Sequence, residues 1–267
     1  RLVEGASRQK TPNEIALNIL LAWKSYHDQW LSEGFAEFSG ILYVQFRRNP
    51  KEFFTQLRKD KELLHRTDIH NHAADSLGSI WMGRRIASSE TNRGSYQDLI
   101  YSKGAYVLQM IRMQFYDSRN PDPDHLFKDL MRDYCRTFEN KPASTEDFKA
   151  IVEKHMGAWM DLDRNHRMDW FFNQYVYGIG IPQYTFRYTV TPTADGKTHL
   201  KATLERSGVP ETWKDVVPLY GRVGDKTVRL GTIAATHATE TIEATIAGKV
   251  DKLSINEYED ILADIKQ

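Results

Sequence analysis

Apolar residues recur at helical spacing up to about Pro182 and at strand spacing after it. Thr11-Pro12-Asn13-Glu14 predicts a helix start, with Thr at the N-cap, Pro at the first helical position and Glu closing a capping box. Ile15, Ile19 and Leu20 follow at helical spacing, so this helix is expected over Thr11–Trp23. A second helix is predicted from about Trp30 to Arg47, with Pro50 beyond its end. A third is predicted from Tyr101 to Tyr116, where Ala105, Leu108, Ile111 and Phe115 form an apolar stripe, and the loop from Ser118 to Pro123 stops it. Leu126, Phe127, Leu130, Met131 and Tyr134 mark another amphipathic helix. Ser144 with Asp147 reads as a capping box leading into Phe148, Ile151, Val152 and Met156, with Gly157 as the C-cap. Trp170 to Tyr177 reads as an aromatic-rich helix ending at Gly178.

The pattern then changes period. Tyr184, Phe186, Tyr188 and Val190 alternate with Thr185, Arg187, Thr189 and Thr191, which predicts a half-buried strand. Asp195-Gly196 supplies a hairpin turn, and Leu200, Ala202 and Leu204 alternate on the return. Short strands are expected near Val217–Val223, Val228–Ile233, Thr239–Ile246 and Val250–Ile255, a spacing that suggests a small antiparallel sandwich. The expected division is therefore a helical region over residues 1–182 and a β-sandwich over residues 183–267.

Composition narrows the function classes. The 267 residues are 40% hydrophobic and 27% charged, as in an ordinary globular protein. Lys plus Arg and Asp plus Glu are balanced at 36 each, so no net field draws the chain toward nucleic acid or anionic lipid. The single cysteine, Cys135, can form neither an internal disulfide nor a thiolate metal cluster, and it reads as a buried structural residue. The longest apolar run, Ile15 to Trp23, falls well short of the roughly 20 residues that span a bilayer, so no transmembrane segment is expected. Compartment is left open.

Two segments carry candidate chemistry. In Trp30-Leu31-Ser32-Glu33-Gly34-Phe35-Ala36-Glu37, the two glutamates lie one turn apart on one helix face. Taken alone they describe a solvated helix edge. Tyr101-Ser102-Lys103-Gly104-Ala105 opens a helix, and taken alone its tyrosine is an aromatic anchor. Together the two segments resemble the W-L-N-E-G-F-A and Y-x-K-G-A segments of the M1 family of zinc aminopeptidases (gluzincins), with Ser32 where Asn is usual. Weaker echoes lie at Gly78–Gly83, Asp169–Tyr175 and Gly180-Ile181-Pro182.

The resemblance implies a fold and a site. The fold would be α+β multidomain: the helical back half of a thermolysin-like catalytic domain, followed by an antiparallel β-sandwich. Glu33 would be a zinc ligand, leaving an open metal position for water. Tyr101 would hydrogen-bond the oxyanion of the tetrahedral intermediate, since a phenol donates one directed bond without adding ground-state charge. Glu37 and Asp28 would support the metal region from behind the ligand. The substrate would be a peptide with a free N-terminus.

The pattern is incomplete. In the family about 18 residues separate the second HExxH histidine from this glutamate. Counting back from Glu33 places the two histidines at Lys10 and Glu14, and the general base at Thr11. No two of the nine histidines are four apart. A lone carboxylate holds zinc weakly, so the chain by itself is expected to bind none and to be inactive. It reads as the back portion of a zinc aminopeptidase, with its missing front half or a second copy as partner. The alternative is a degenerate, non-catalytic scaffold or interaction module of the same fold. An in-frame HExxH upstream would favour the first reading. His70-Asn71-His72 is a weak metal pair with no third ligand at suitable spacing.

Overall fold

The computed structural model describes residues 22–47, 49–67, 70–88 and 94–267. Most of the helix expected over Thr11–Trp23 lies outside them. Its last two residues form a short strand instead, β1 (Ala22–Trp23), paired in parallel with β2 (Pro142–Ala143). Helix α1 (Gln29–Arg47) buries Trp30, Leu31, Phe35, Phe38, Ile41 and Leu42. Helix α2 (Pro50–His65) begins at Asn49, whose side chain accepts a hydrogen bond from the Lys51 amide, with Pro50 at the first helical position. This helix was not among those expected, because Pro50 was read only as a terminator of α1.

The third expected helix is in two parts. A π-helical turn covers Gln97–Lys103, and helix α3 (Gly104–Gln114) continues it. All eleven residues of α3 are buried, so this helix is the axis of the helical region. Around it lie α4 (His125–Thr137), α5 (Thr145–His155) and α6 (Asp169–Tyr175). The capping box expected at Ser144 and Asp147 is present, although the C-cap is Met156 rather than Gly157.

Strands begin at Gln183. β3 (Gln183–Pro192), β4 (Lys197–Ser207), β7 (Thr239–Ala247) and β9 (Asp264–Lys266) form one sheet in the order β7-β4-β3-β9. β5 (Asp215–Val223), β6 (Lys226–Ala235) and β8 (Lys252–Ile255) form a second, ordered β6-β5-β8. The chain is thus α+β, with helices first and sandwich-like sheets after. One pairing departs from the antiparallel expectation, because β9 runs parallel to β3. β9 can pair this way because a long excursion through the second sheet separates it from β3, as parallel pairing requires.

The two regions share one apolar core that runs from Trp30 to Ala263. Buried polar bonds pin them together. Asp215 accepts from Tyr175, Tyr184 and Trp213 at 2.6–3.0 Å, and Glu259 accepts from Tyr106 and Arg58 at 2.7 Å. The Gln174 side-chain amide bonds the Lys214 backbone in both directions. Among the described residues no helix is long and apolar enough to cross a membrane.

Candidate active site

Glu33 and Glu37 lie half-buried on one side of α1, and the π-turn brings Tyr101 up to them. The approach is set by two glycines. A Cβ on Gly34 would stand 2.9 Å from the Gly104 carbonyl carbon and 3.0 Å from its Cα, closer than unbonded atoms pack. Gly34 follows Glu33, and Gly104 follows Lys103. The glycines of the two recognised segments therefore form the crossing point, and backbone contact there carries the glutamate and the tyrosine toward each other.

The Tyr101 hydroxyl lies beside the Glu33 carboxylate, and burial, then that carboxylate, pushes the phenol up to about 12. Tyr96 stands edge-on to Tyr101, with ring centroids 6.1 Å apart. Burial also raises the Tyr96 phenol, the Glu33 charge adds to this, and the exposed Arg84 guanidinium opposes it. Both phenols stay protonated at neutral pH and can donate hydrogen bonds. The result is an acidic, half-open surface with two directed O–H donors.

The back of the π-turn is held by α2 and by the short 3₁₀ turn Ala74–Ser76. Ser102 donates to Asp60 at 3.2 Å, and Arg66 pairs with Asp98 at 2.9 Å. Lys103 is fully buried, and among the described residues its Nζ has no hydrogen-bond partner. Burial pushes its ammonium down to about 8, opposed by the Asp75 carboxylate. A π-turn places one more residue in a helical turn than an α-helix does, and such bulges recur where a side chain must be re-aimed.

Asp28 ends the 3₁₀ turn Tyr26–Asp28 that leads into α1. Its carboxylate accepts from the amides and hydroxyls of Ser25 and Thr145 at 2.7–3.1 Å, so it ties the entry to α1 to the start of α5. Four bonds leave it no free lone pair directed at Glu33. His27, its neighbour, stacks on Trp81 at 3.7 Å and is hydrogen-bonded to the Trp81 carbonyl. A cavity of about 490 Å³ lies elsewhere, between α6 and the β4–β5 connection, and neither Glu33 nor Tyr101 lines it.

A family model described as the peptidase family M1 domain matches residues 19–175. The chain belongs to the M1 peptidase family. Comparison with curated proteins returned no match. Zinc dependence is general in this family, so the donor set bears directly on the site. All nine histidines and the cysteine lie among the described residues. Within those residues no three His, Cys, Asp or Glu side chains converge as a metal site would require. The His70 and His72 rings are 6.2 Å apart and gain no third ligand. The described residues therefore do not fit a three-ligand zinc centre. Reading the sequence brought out Glu33, Glu37 and Tyr101. It passed over Asp60, Ser102, Lys103 and Tyr96; the last three sit within or just before the Y-x-K-G-A segment, but nothing in the sequence marked Asp60.

Proposed function

We propose that this chain carries part of the centre of a zinc metallo-aminopeptidase that removes N-terminal residues from peptides, and that the chain alone is inactive. The reading rests on one observation: the Tyr101 phenol meets the Glu33 carboxylate across the Gly34–Gly104 crossing. In the complete centre Glu33 would be the carboxylate ligand, and the two imidazoles would come from polypeptide outside this sequence. When water adds to the scissile carbonyl, an oxyanion forms, and Tyr101 donates its hydroxyl hydrogen bond to it. A phenol is protonated at neutral pH and so remains a donor through that step. Glu37, one turn along α1, would hold neighbouring groups in place from behind. Residues 183–267 form the β-sandwich unit that buttresses the helical region.

The test is hydrolysis of an aminoacyl-anilide by the purified chain with added zinc. No turnover is the expected result. Turnover abolished by Tyr101→Phe would overturn the claim that the centre is incomplete. When the chain is joined to a segment bearing HExxH, activity should appear, and Tyr101→Phe should lower kcat by about 10²–10³-fold, as loss of one oxyanion donor does. An unchanged kcat in that variant would remove Tyr101 from the mechanism.

A further inference from the structure

The strongest unassigned feature lies behind Tyr101. Asp60, on α2, is 2% exposed. One of its carboxylate oxygens accepts from Ser102 and from Gln56, each at 3.2 Å. Among the described residues the other oxygen has no hydrogen-bond partner. Burial pushes the group up to about 6, Glu37 and Asp98 add to the shift, and the bonds from Gln56 and Ser102 oppose it. A leucine would fill this place without the desolvation penalty, and an asparagine would accept the same bonds without a charge. For stability alone, aspartate is the poorest of the three.

The position explains the choice. Ser102 is the residue after Tyr101, inside the π-turn. Tyr101 faces α1 from the front of that turn, and Ser102 faces α2 from its back. The wider π-turn shifts the angular position of the side chains it carries relative to an α-helix, so contacts on its back bear on where its front side chains point. The bond from Ser102 to Asp60 is long, at 3.2 Å, but it ties the back of the turn directly to α2.

We infer that Asp60 is a positioning residue, which anchors Ser102 at the back of the π-turn and thereby fixes the direction in which Tyr101 meets Glu33. Its relevance to catalysis rests on the role proposed above for Tyr101, but the anchoring itself can be measured without metal or turnover.

The experiment uses the whole chain with isotope-labelled tyrosine rings, assigned by Tyr96→Phe and Tyr101→Phe. The readout is the ring-to-ring nuclear Overhauser effect between Tyr96 and Tyr101, whose centroids lie 6.1 Å apart. Thermal melting is recorded alongside it. Asp60→Leu and Ser102→Ala are each expected to weaken this effect several-fold, with the melting temperature level or raised in Asp60→Leu, which removes the buried charge, and lowered in Ser102→Ala, which leaves it with fewer bonds. Asp60→Asn, which keeps an acceptor for Ser102, should retain most of it. If both Asp60→Leu and Ser102→Ala leave the ring contact intact in a folded protein, the inference is overturned. Should Asp60→Leu fail to fold, Ser102→Ala alone decides, because it leaves α2 untouched. A chain that never hydrolyses peptides would defeat the proposed function and leave this result standing, whereas an unchanged ring contact would defeat the anchor and leave the proposed function standing.

Discussion

Two buried carboxylates in this molecule live very differently. Asp215, at the start of β5, accepts three directed bonds from Tyr175, Tyr184 and Trp213 where the helical region meets the sheets. Asp60, behind the candidate site, has one oxygen with no hydrogen-bond partner among the described residues. Burial pushes both up to about 6, and at Asp215 it does so against three opposing hydrogen bonds, so Asp215 bears the larger desolvation. The return differs as well. At the seam all three donors around Asp215 are satisfied. Among the described residues, the unsatisfied buried side-chain atoms lie on Gln29, Asp60, Lys103, Gln114 and Tyr134, all in the helical region; Lys103 ends the π-turn and Asp60 backs it. Local rules are broken where side chains must be aimed, and the stability lost there is supplied elsewhere.

The largest test of this contrast is the same substitution at the two sites. Asp215→Ala strands three buried donors and should cost about 4 kcal/mol, read from urea unfolding. Asp60→Ala should cost far less, about 1 kcal/mol, because only two weak bonds are lost and a desolvated charge disappears with them. Equal costs would mean that the two carboxylates do the same job.

Next in size is Gly34→Ala. The added methyl meets the Gly104 backbone, which cannot swing aside as a side-chain end would, so destabilisation of about 2 kcal/mol is expected. The same change should push Glu33 and Tyr101 apart and weaken the Tyr96–Tyr101 ring contact. A loss of stability with no change in that contact would separate the crossing from the geometry of the site.

Lys103→Met reverses the sign. The folded-state value near 8 lies below the usual 10.5, so the unfolded chain binds the proton more readily between these limits. The wild-type penalty is therefore fully present below pH 8 and fades as pH rises toward 10.5. The variant should be more stable at pH 7 by about 2 kcal/mol and should lack the rise in stability between pH 8 and 10. Above 10 the tyrosines act the other way. Their folded values are raised, so the unfolded state loses protons first and stability falls. A flat wild-type profile between pH 8 and 10 would mean that Lys103 has a partner in solution.

The sequence carried the front of the site but not its back. Glu33 and Tyr101 sit in short segments whose residue types are tied to chemistry, and the strand alternation from Tyr184 to Leu204 translated directly into β3 and β4. Helix α2 left signals at Asn49, Pro50, Phe53, Leu57 and Leu64, but one proline can end a helix or begin the next, and only the first meaning was taken. Asp60 stood inside Arg58-Lys59-Asp60-Lys61-Glu62, a run that looks solvated. Its burial follows from how α2 packs on the π-turn, which no local pattern encodes. The π-turn itself depends on the Gly104 amide reaching the Leu99 carbonyl, a choice of bonding partner that leaves hydrophobic periodicity almost unchanged. The bond Asp28 accepts from Thr145, 117 residues away in the chain, is not legible from local sequence.

The smallest effect tests the two faces of α1 against each other. Gly34 and Gly40 lie on the same helix, yet among the described residues a Cβ on Gly40 would meet nothing within 4 Å. Glycine inside a helix costs more chain entropy on folding than alanine, so Gly40→Ala should raise stability by about 0.5–1 kcal/mol. Ala36, Gly40, Tyr43 and Arg47 are all exposed and recur at helical spacing, so the face carrying Gly40 is open in the single chain. If a second copy covered that face in solution, the methyl would stand in the contact, and the gain would turn into a loss as protein concentration rises. Urea midpoints at two concentrations differing a hundredfold distinguish these outcomes. A concentration-independent gain means that the outer face of α1 stays in water, whereas the inner face of the same helix tolerates no added atom.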